Sequence, residues 1–338
     1  MNHPLFAFPY RLRACLLLLC CCWLSGCDRP AAAVSEADAA APQTGWPRTL
    51  QTIKGPLTLT QPPQRIVSTS VTLSGTLLAI NAPLIGSGAT SPGTSVADAQ
   101  GFFRQWSEVA QARQVKPLYI AQPNPEAIAA AAPDLVVIAA TGGDSALRLY
   151  DQLSTIAPVL VIDYGDKSWQ ALAQQLGQIT GHEADAQKII TAFDQRVQAV
   201  KQQIVLPPQP TSALVYYEDG RGMNLWTPAS AQGKLLSALG FTLAQPQKDL
   251  PASTSMGKRN DIIQLSGENM AAGVTGNTLL LFAADEKTPA RVLANPFLAG
   301  LTPVREKRVY AMGPDTFRLD YYSASALLNR IEQLFGRQ

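Results

Sequence analysis

After Gly181, apolar side chains recur at Ile189, Phe193, Val197, Val200 and Ile204, at intervals of four, four, three and four residues. This is the period of one helical face. Glu183 and Asp185 open the segment, Lys201 lies in its last turn and Pro207-Pro208 stop it, as the helix dipole and proline sterics favour. The pattern predicts one helix over Glu183–Ile204, roughly 33 Å long at the α-helical rise and about the width of a small domain. Elsewhere the period changes. "QRIVSTS" is a short β-branched strand followed by a polar turn, and "VTLSGTLLAIN" is an apolar helix that ends near Asn81 and Pro83. "LIGSGAT" and "DLVVIAATGGD" are buried strands that run into Gly/Thr loops. Continuous apolar strands alternating with helices predict a parallel sheet covered on both faces. In such sheets the loops after the strands form the ligand crevice. The chain is helical again from Ser168.

The two halves echo each other weakly. Asn124-Pro125-Glu126 reads as an N-cap, a proline at the first helical position and an acid in the first turn, leading to "AIAAAAPDLVVIAA". Ser266-Gly267-Glu268-Asn269 leads likewise to "MAAGVTGNTLLLFAA". Each predicts a capped short helix followed by a buried strand. The simplest role for both glutamates is compensation of a helix dipole.

The front of the chain is of another kind. Arg11 and Arg13 precede an apolar core from Ala14 to Ser25, too short to span a bilayer and right for a secretory signal. All five cysteines fall in "CLLLLCCCWLSGC", and the end of the core, Leu24-Ser25-Gly26-Cys27, resembles the lipobox of bacterial lipoproteins. Residues 1–26 are then a cleaved signal, and Cys27 is the acylated mature N-terminus. The alternatives are an ordinary signal peptide cut elsewhere and, less favoured, a spanning anchor. Residues 27–45, small and polar with no apolar period, read as a flexible tether.

Removing residues 1–26 alters the remaining chemistry. It takes two of the 27 basic residues and none of the 25 acidic ones, so the mature side chains balance, and nothing electrostatic argues for nucleic acid. It leaves His182 as the sole histidine and Cys27 as the sole cysteine, which can build neither a disulfide framework nor a His/Cys metal site. The mature 312 of 338 residues suit two well-filled domains. The expected division is an N-terminal α/β lobe over 46–167, a helical linker over 168–205 and a C-terminal α/β lobe over 206–338.

"PPQRIVSTSVTLSGTLLAI", "GFFRQWSEVA", "ATGGDSALRLYDQLSTIAPVLVI", "NLWTPASAQGKLL", "GKRNDIIQLSGENMAAG" and "TFRLDYYSA" closely resemble the iron-siderophore and cobalamin cluster of ABC-transporter substrate-binding proteins, from about Trp46 to Phe335. The resemblance implies a class III periplasmic binding protein: α/β, two Rossmann-like lobes with parallel-rich sheets joined by a single long helix. It implies a monomeric, non-enzymatic component that captures a ferric catecholate siderophore such as ferric enterobactin and delivers it to an inner-membrane ABC permease. Iron would be held wholly by the siderophore, so no cofactor and no protein metal ligand is expected. The same fold serving another iron chelate, haem or cobalamin is the nearest alternative. The lipobox departs from the catecholate binders of enteric bacteria and points to a lipid-anchored protein. Asp28, after the lipidated position, resembles the signal that retains enteric lipoproteins at the inner membrane.

A tris-catecholate complex of iron(III) is a trianion with flat aromatic faces, so it calls for cations that keep their charge and for rings that stack. Arg104, Arg259 and Arg318 stand at loop positions, with Trp226 as the ring platform and Tyr216 as a lesser candidate. By resemblance, Arg104, Arg259, Arg318 and Trp226 match positions lining the family's cleft, and Glu126 and Glu268 match acids that meet arginines on the permease. Each has a plainer alternative: a solvated or salt-bridged arginine, with Asp320 as the partner of Arg318, or a core tryptophan. Trp106 and Trp169 read as packing residues. Gly143-Asp144-Ser145-Ala146-Leu147 superficially resembles the nucleophile box of GDS-type serine esterases. The histidine base such a nucleophile needs would have to be His182, so this reading is remote.

Overall fold

The structure of the protein, a computed structural model, describes residues 45–165, 167–247, 250, 251 and 260–337. Residues 1–26, expected as a signal peptide, residues 27–44 of the expected tether with Cys27, and Arg259 lie outside the described residues.

A hairpin of β1 (Arg48–Thr52) and β2 (Gly55–Leu59), which the sequence pattern did not predict, precedes the first sheet. That sheet comprises β3 (Ile66–Ser68), β4 (Leu84–Ala89), β5 (Lys116–Ile120), β6 (Leu135–Ala139) and β7 (Val159–Ile162), all parallel, in the order β5-β4-β3-β6-β7. Between the strands run α1 (Val71–Ala79), α2 (Arg104–Ala112), α3 (Pro125–Ala130) and α4 (Tyr150–Ser154). Leu135, Val137 and Ala139 of β6 enter one core while Val136 and Ile138 enter another. The strand is therefore buried on both faces and apolar throughout, as a covered parallel strand must be.

Ser168 caps α5 (Trp169–Thr180) through the Ala171 amide, and Gly181, at φ 83°, ends it in the left-handed conformation. Next comes α6 (Glu183–Gln203), which buries Ala186, Ile190, Phe193, Val197 and Val200. It stops one residue short of the expectation, and Ile204 is extended but still buried.

The second sheet, in the order β10-β9-β8-β11-β12, holds β8 (Thr211–Tyr217), β9 (Gly222–Trp226), β10 (Ile262–Leu265), β11 (Thr278–Phe282) and β12 (Val309–Ala311). Here β8, β11 and β12 are parallel neighbours, while β9 runs against both β8 and β10. The reversal follows from a four-residue connection, Glu218–Arg221, which is long enough for a hairpin and far too short for a parallel crossover. Helices α7 (Ala231–Ala238), α8 (Met270–Gly273), α9 (Thr288–Ala294) and α10 (Thr302–Arg305) lie between the later strands.

The C-terminal helix α11 (Tyr321–Phe335) packs on α1, α2 and α6, and its Phe335 meets Phe241 and Tyr310 edge-on. One continuous core takes in a face of each five-stranded sheet together with residues of α1, α5, α6 and α11. The sheets are thus held by shared packing as well as by the connecting helix. Among the described residues no helix is long and apolar enough to cross a membrane.

Candidate functional site

Two adjoining cavities of about 560 and 670 Å³ open between the sheets. Thr72, Phe103, Tyr164 and Arg318 line both. The larger lies over the loops after β3 to β7, and its walls include Thr69, Thr90, Gln122, Asp144 and Tyr164. This is where an open parallel sheet leaves its crevice, because the polar chain ends emerge there while the helices cover both faces. The smaller cavity adds the second half of the chain, through Trp226, Lys234 and the run Phe317–Asp320.

Local chemistry fixes these side chains. Trp226 ends the reversed strand β9, and the turn after it is pinned by Thr227, whose amide and hydroxyl donate to the Asp261 and Asn260 carbonyls at 3.0 and 2.6 Å. Ser230 caps α7 through the Gly233 amide at 2.8 Å. A Cβ at Gly233 would stand 2.1 Å from the Thr227 carbonyl, so this close turn requires glycine. Gln232 then donates to the carbonyls of Thr316 and Phe317 at 3.0 and 2.8 Å. That holds the segment carrying Arg318 against α7.

Arg318 is exposed, and its guanidinium lies 4.7 Å from the ring centroid of Tyr164. No described carboxylate pairs with it. Asp320, the partner weighed for it, instead caps α11, accepting from the Ser323 amide at 2.8 Å. Burial pushes the Asp320 carboxyl above the ordinary carboxylate range. Burial and then the charge of Asp144 raise the Tyr164 phenol well above the usual tyrosine value, so it remains a neutral donor.

Two sheets share one core beside the cavities, and the sequence of the folded part decides the family. Residues 66–316, more than half of the chain, match the model of the Periplasmic binding protein family. The chain belongs to the periplasmic binding protein family.

Over 304 residues this periplasmic binding protein is 58% identical to the ferric enterobactin-binding periplasmic protein FepB of Escherichia coli O6:H1, covering 90% of this chain and 93% of that protein. Among solved structures, holo-ViuP matches it with a TM-score of 0.78 at 34% identity, over 87% of this chain and 97% of that one. BauB, solved with two molecules of acinetobactin and ferric iron, shares the fold at 19% identity and a TM-score of 0.59, over 85% and 98% of the two chains. As a member of this family the protein is a binding component of transport, not an enzyme. The serine of the esterase-like box agrees with that. Ser145 Oγ donates to the carbonyls of Ala139 and Ala140 at 2.8 and 3.1 Å and accepts from the Leu147 amide, so it serves its own turn.

The structure brings two of the anticipated ligand residues, Trp226 and Arg318, onto one cavity. Trp226 is also a core residue, 5% exposed, and no described acceptor meets its Nε1. Trp106 is fully buried. Trp169 is buried too, as a packing residue should be, but it also lines the smaller cavity. Arg104 opens α2 beside Phe103, yet its guanidinium turns to the Thr94 carbonyl at 3.0 and 3.1 Å, and it lines neither cavity. Tyr216 lines neither cavity. Strand alternation sends it with Leu214 to the opposite face of the second sheet, where its hydroxyl accepts from Asn295 at 2.9 Å.

Glu126 and Glu268 are both exposed. Glu126 sits in the first turn of α3, which Asn124 caps through the Ala127 amide at 3.0 Å. Glu268 lies in a 3-10 turn, Gly267–Asn269, that runs directly into α8, so the expected short helix forms but without its cap. There Ser266 Oγ accepts from the Asn269 side chain at 3.1 Å and caps no backbone amide.

Sequence reasoning missed Tyr164, Phe103, Asp144 and Arg148 as cleft residues. A usable signal existed for two of them: Tyr164 and Asp144 lie in loops directly after buried strands.

Proposed function

We propose that this periplasmic binding protein captures a ferric catecholate siderophore of the enterobactin type and delivers it to an inner-membrane ABC permease. The observation that carries the reading is a cleft whose arginine, Arg318, has no described carboxylate partner and lies on an aromatic ring, with Trp226 in the adjoining wall. A planar trianion needs such a charge, and its catechol rings need such faces. The 58% identity to a ferric enterobactin-binding protein supports the same ligand class. Iron enters as cargo inside the chelate, and among the described residues no cluster of His, Cys, Asp or Glu could hold a metal ion. By the family resemblance, Arg104 and Arg259 would add further positive charge for the anion. Glu126 and Glu268 would meet arginines of the permease, and acylated Cys27 would tether the body to the inner membrane beside it.

Titration of purified protein, followed by tryptophan fluorescence, against ferric enterobactin, a ferric hydroxamate, haem and cobalamin tests the ligand. The ferric catecholate should bind far more tightly than the rest, and equal or tighter binding of an uncharged chelate overturns the assignment. Cys27→Ala should abolish lipid labelling and release the body into the soluble periplasmic fraction. Unchanged fractionation would exclude the anchor.

A further inference from the structure

The loop Thr141-Gly142-Gly143-Asp144-Ser145 carries part of the esterase-like box; among the residues it adds to the wall of the larger cavity is Asp144. Its carboxylate accepts from Ser70 Oγ at 2.5 Å, from the Thr72 amide at 3.2 Å and from Tyr164 Oη at 2.6 Å. The Thr72 amide belongs to the first turn of α1, so the carboxylate rests at the positive end of that helix, where its charge is favoured. Tyr164, 7% exposed, is thereby held by its hydroxyl, and the face of its ring carries Arg318 from the other half of the chain. Gly142 is fitted to the same contact: its φ is +91°, and a Cβ there would stand 1.9 Å from Tyr164 Oη. The loop can approach the phenol this closely only without a side chain.

We propose that Asp144 is a positioning residue for the cleft arginine: through Tyr164 it fixes where the Arg318 guanidinium stands between the two cavities, and so sets affinity for an anionic ligand that it does not itself touch. The proposal rests on the siderophore-capture reading. A long exposed arginine loses rotamer freedom when it binds, and an arginine already laid on a fixed ring loses less. A carboxylate in a cleft for a trianion would otherwise only repel it. The two effects have opposite signs, which makes the role measurable.

Ferric enterobactin is titrated by fluorescence quenching against the full protein and its Asp144→Asn, Tyr164→Phe and Arg318→Ala variants, singly and combined. Asp144→Asn and Tyr164→Phe should each weaken binding by roughly three- to thirty-fold, and the pair together no more than the worse one, because both act along one path. In the Arg318→Ala background Asp144→Asn should have no further effect. Tighter or unchanged binding in both single variants overturns the proposal, as does an equal loss with Arg318 absent, which is what a general structural role would give. Should Asp144→Asn fail to fold, Tyr164→Phe, which keeps the ring and loses only its anchor, decides the question. Failure of the unaltered protein to bind would overturn the capture reading instead. Positioning is then read without ligand, by nitrogen-15 relaxation at Arg318 Nε, which should be rigid in the parent protein and mobile in Asp144→Asn. Equal mobility in the two refutes it.

Discussion

Trp226 meets Phe317 edge to face, with ring centroids 5.7 Å apart, and meets Phe282 in the same way at 6.3 Å. Phe282 ends β11, and Phe317 adjoins Arg318. The tryptophan thus joins the second sheet to the segment that carries the cleft arginine. Trp226→Ala should cost about 3–5 kcal/mol of stability, as a large buried ring does, and remove most of the ligand-induced quenching. Trp226→Phe should restore much of the stability and none of the quenching. Denaturant unfolding and fluorescence titration separate the two, and full quenching in Trp226→Ala would exclude the residue as the reporter.

The arginines should rank by where they stand. Arg318→Ala should lose about 1.5–3 kcal/mol of binding, or roughly one to two decades of affinity. Arg318→Lys should lose much of the same, since lysine keeps the charge but not the planar face laid on Tyr164. Arg104→Ala should cost less, because its guanidinium is already engaged by the Thr94 carbonyl. Arg259→Ala belongs in the same titration. Unchanged affinity in all of them would refute the site.

Asp320 should leave a mark on stability against pH. Burial raises its folded-state value, while in the unfolded chain it ionises near the ordinary value of about 3.9. Between the two, the folded chain keeps a proton that the unfolded chain has released. Its contribution is therefore complete below the unfolded value and is lost as pH rises through the folded one. Asp320→Asn still caps α11 through the Ser323 amide and should flatten that decline. Urea unfolding of both proteins from about pH 4 to pH 7 checks it; parallel profiles would show that Asp320 is not the group responsible.

Delivery can be separated from capture. As partners of a helix dipole, Glu126 and Glu268 would each contribute only about 0.3–1 kcal/mol of stability. As docking contacts, their joint replacement by alanine should leave siderophore affinity intact and sharply reduce iron uptake in whole cells. Reversal to arginine should be worse, through repulsion at the permease. Normal uptake by the folded double variant would remove both from the mechanism.

Local order was legible in the chain. The 3.6-residue period located α6 to within a residue of its end, and short buried runs located β3, β4 and β6, because each signal arises from which faces a single element must bury. The capping of α3 by Asn124 was legible for the same reason, since it spans only three residues. Cleft residues gave no such signal. Asp144 meets Ser70 across 74 positions, and Tyr164 meets Arg318 across the whole second half of the chain. No period records a contact of that separation.

The sequence by itself therefore determined the alternation of strands and helices and the single long connecting helix, both properties of one element at a time. Only the tertiary structure decided which loops face each other. Strand register sent Tyr216 to one side of the second sheet and Trp226 to the other, since neighbouring positions on a strand point oppositely. Chain reversal at Glu218–Arg221 turned β9 against its neighbours. The packing of α11 across α1, α2 and α6 then brought Arg318, just ahead of that helix, onto a ring from the other end of the fold. Such placements follow from burying every apolar face at once, a condition on the whole chain that no single segment carries.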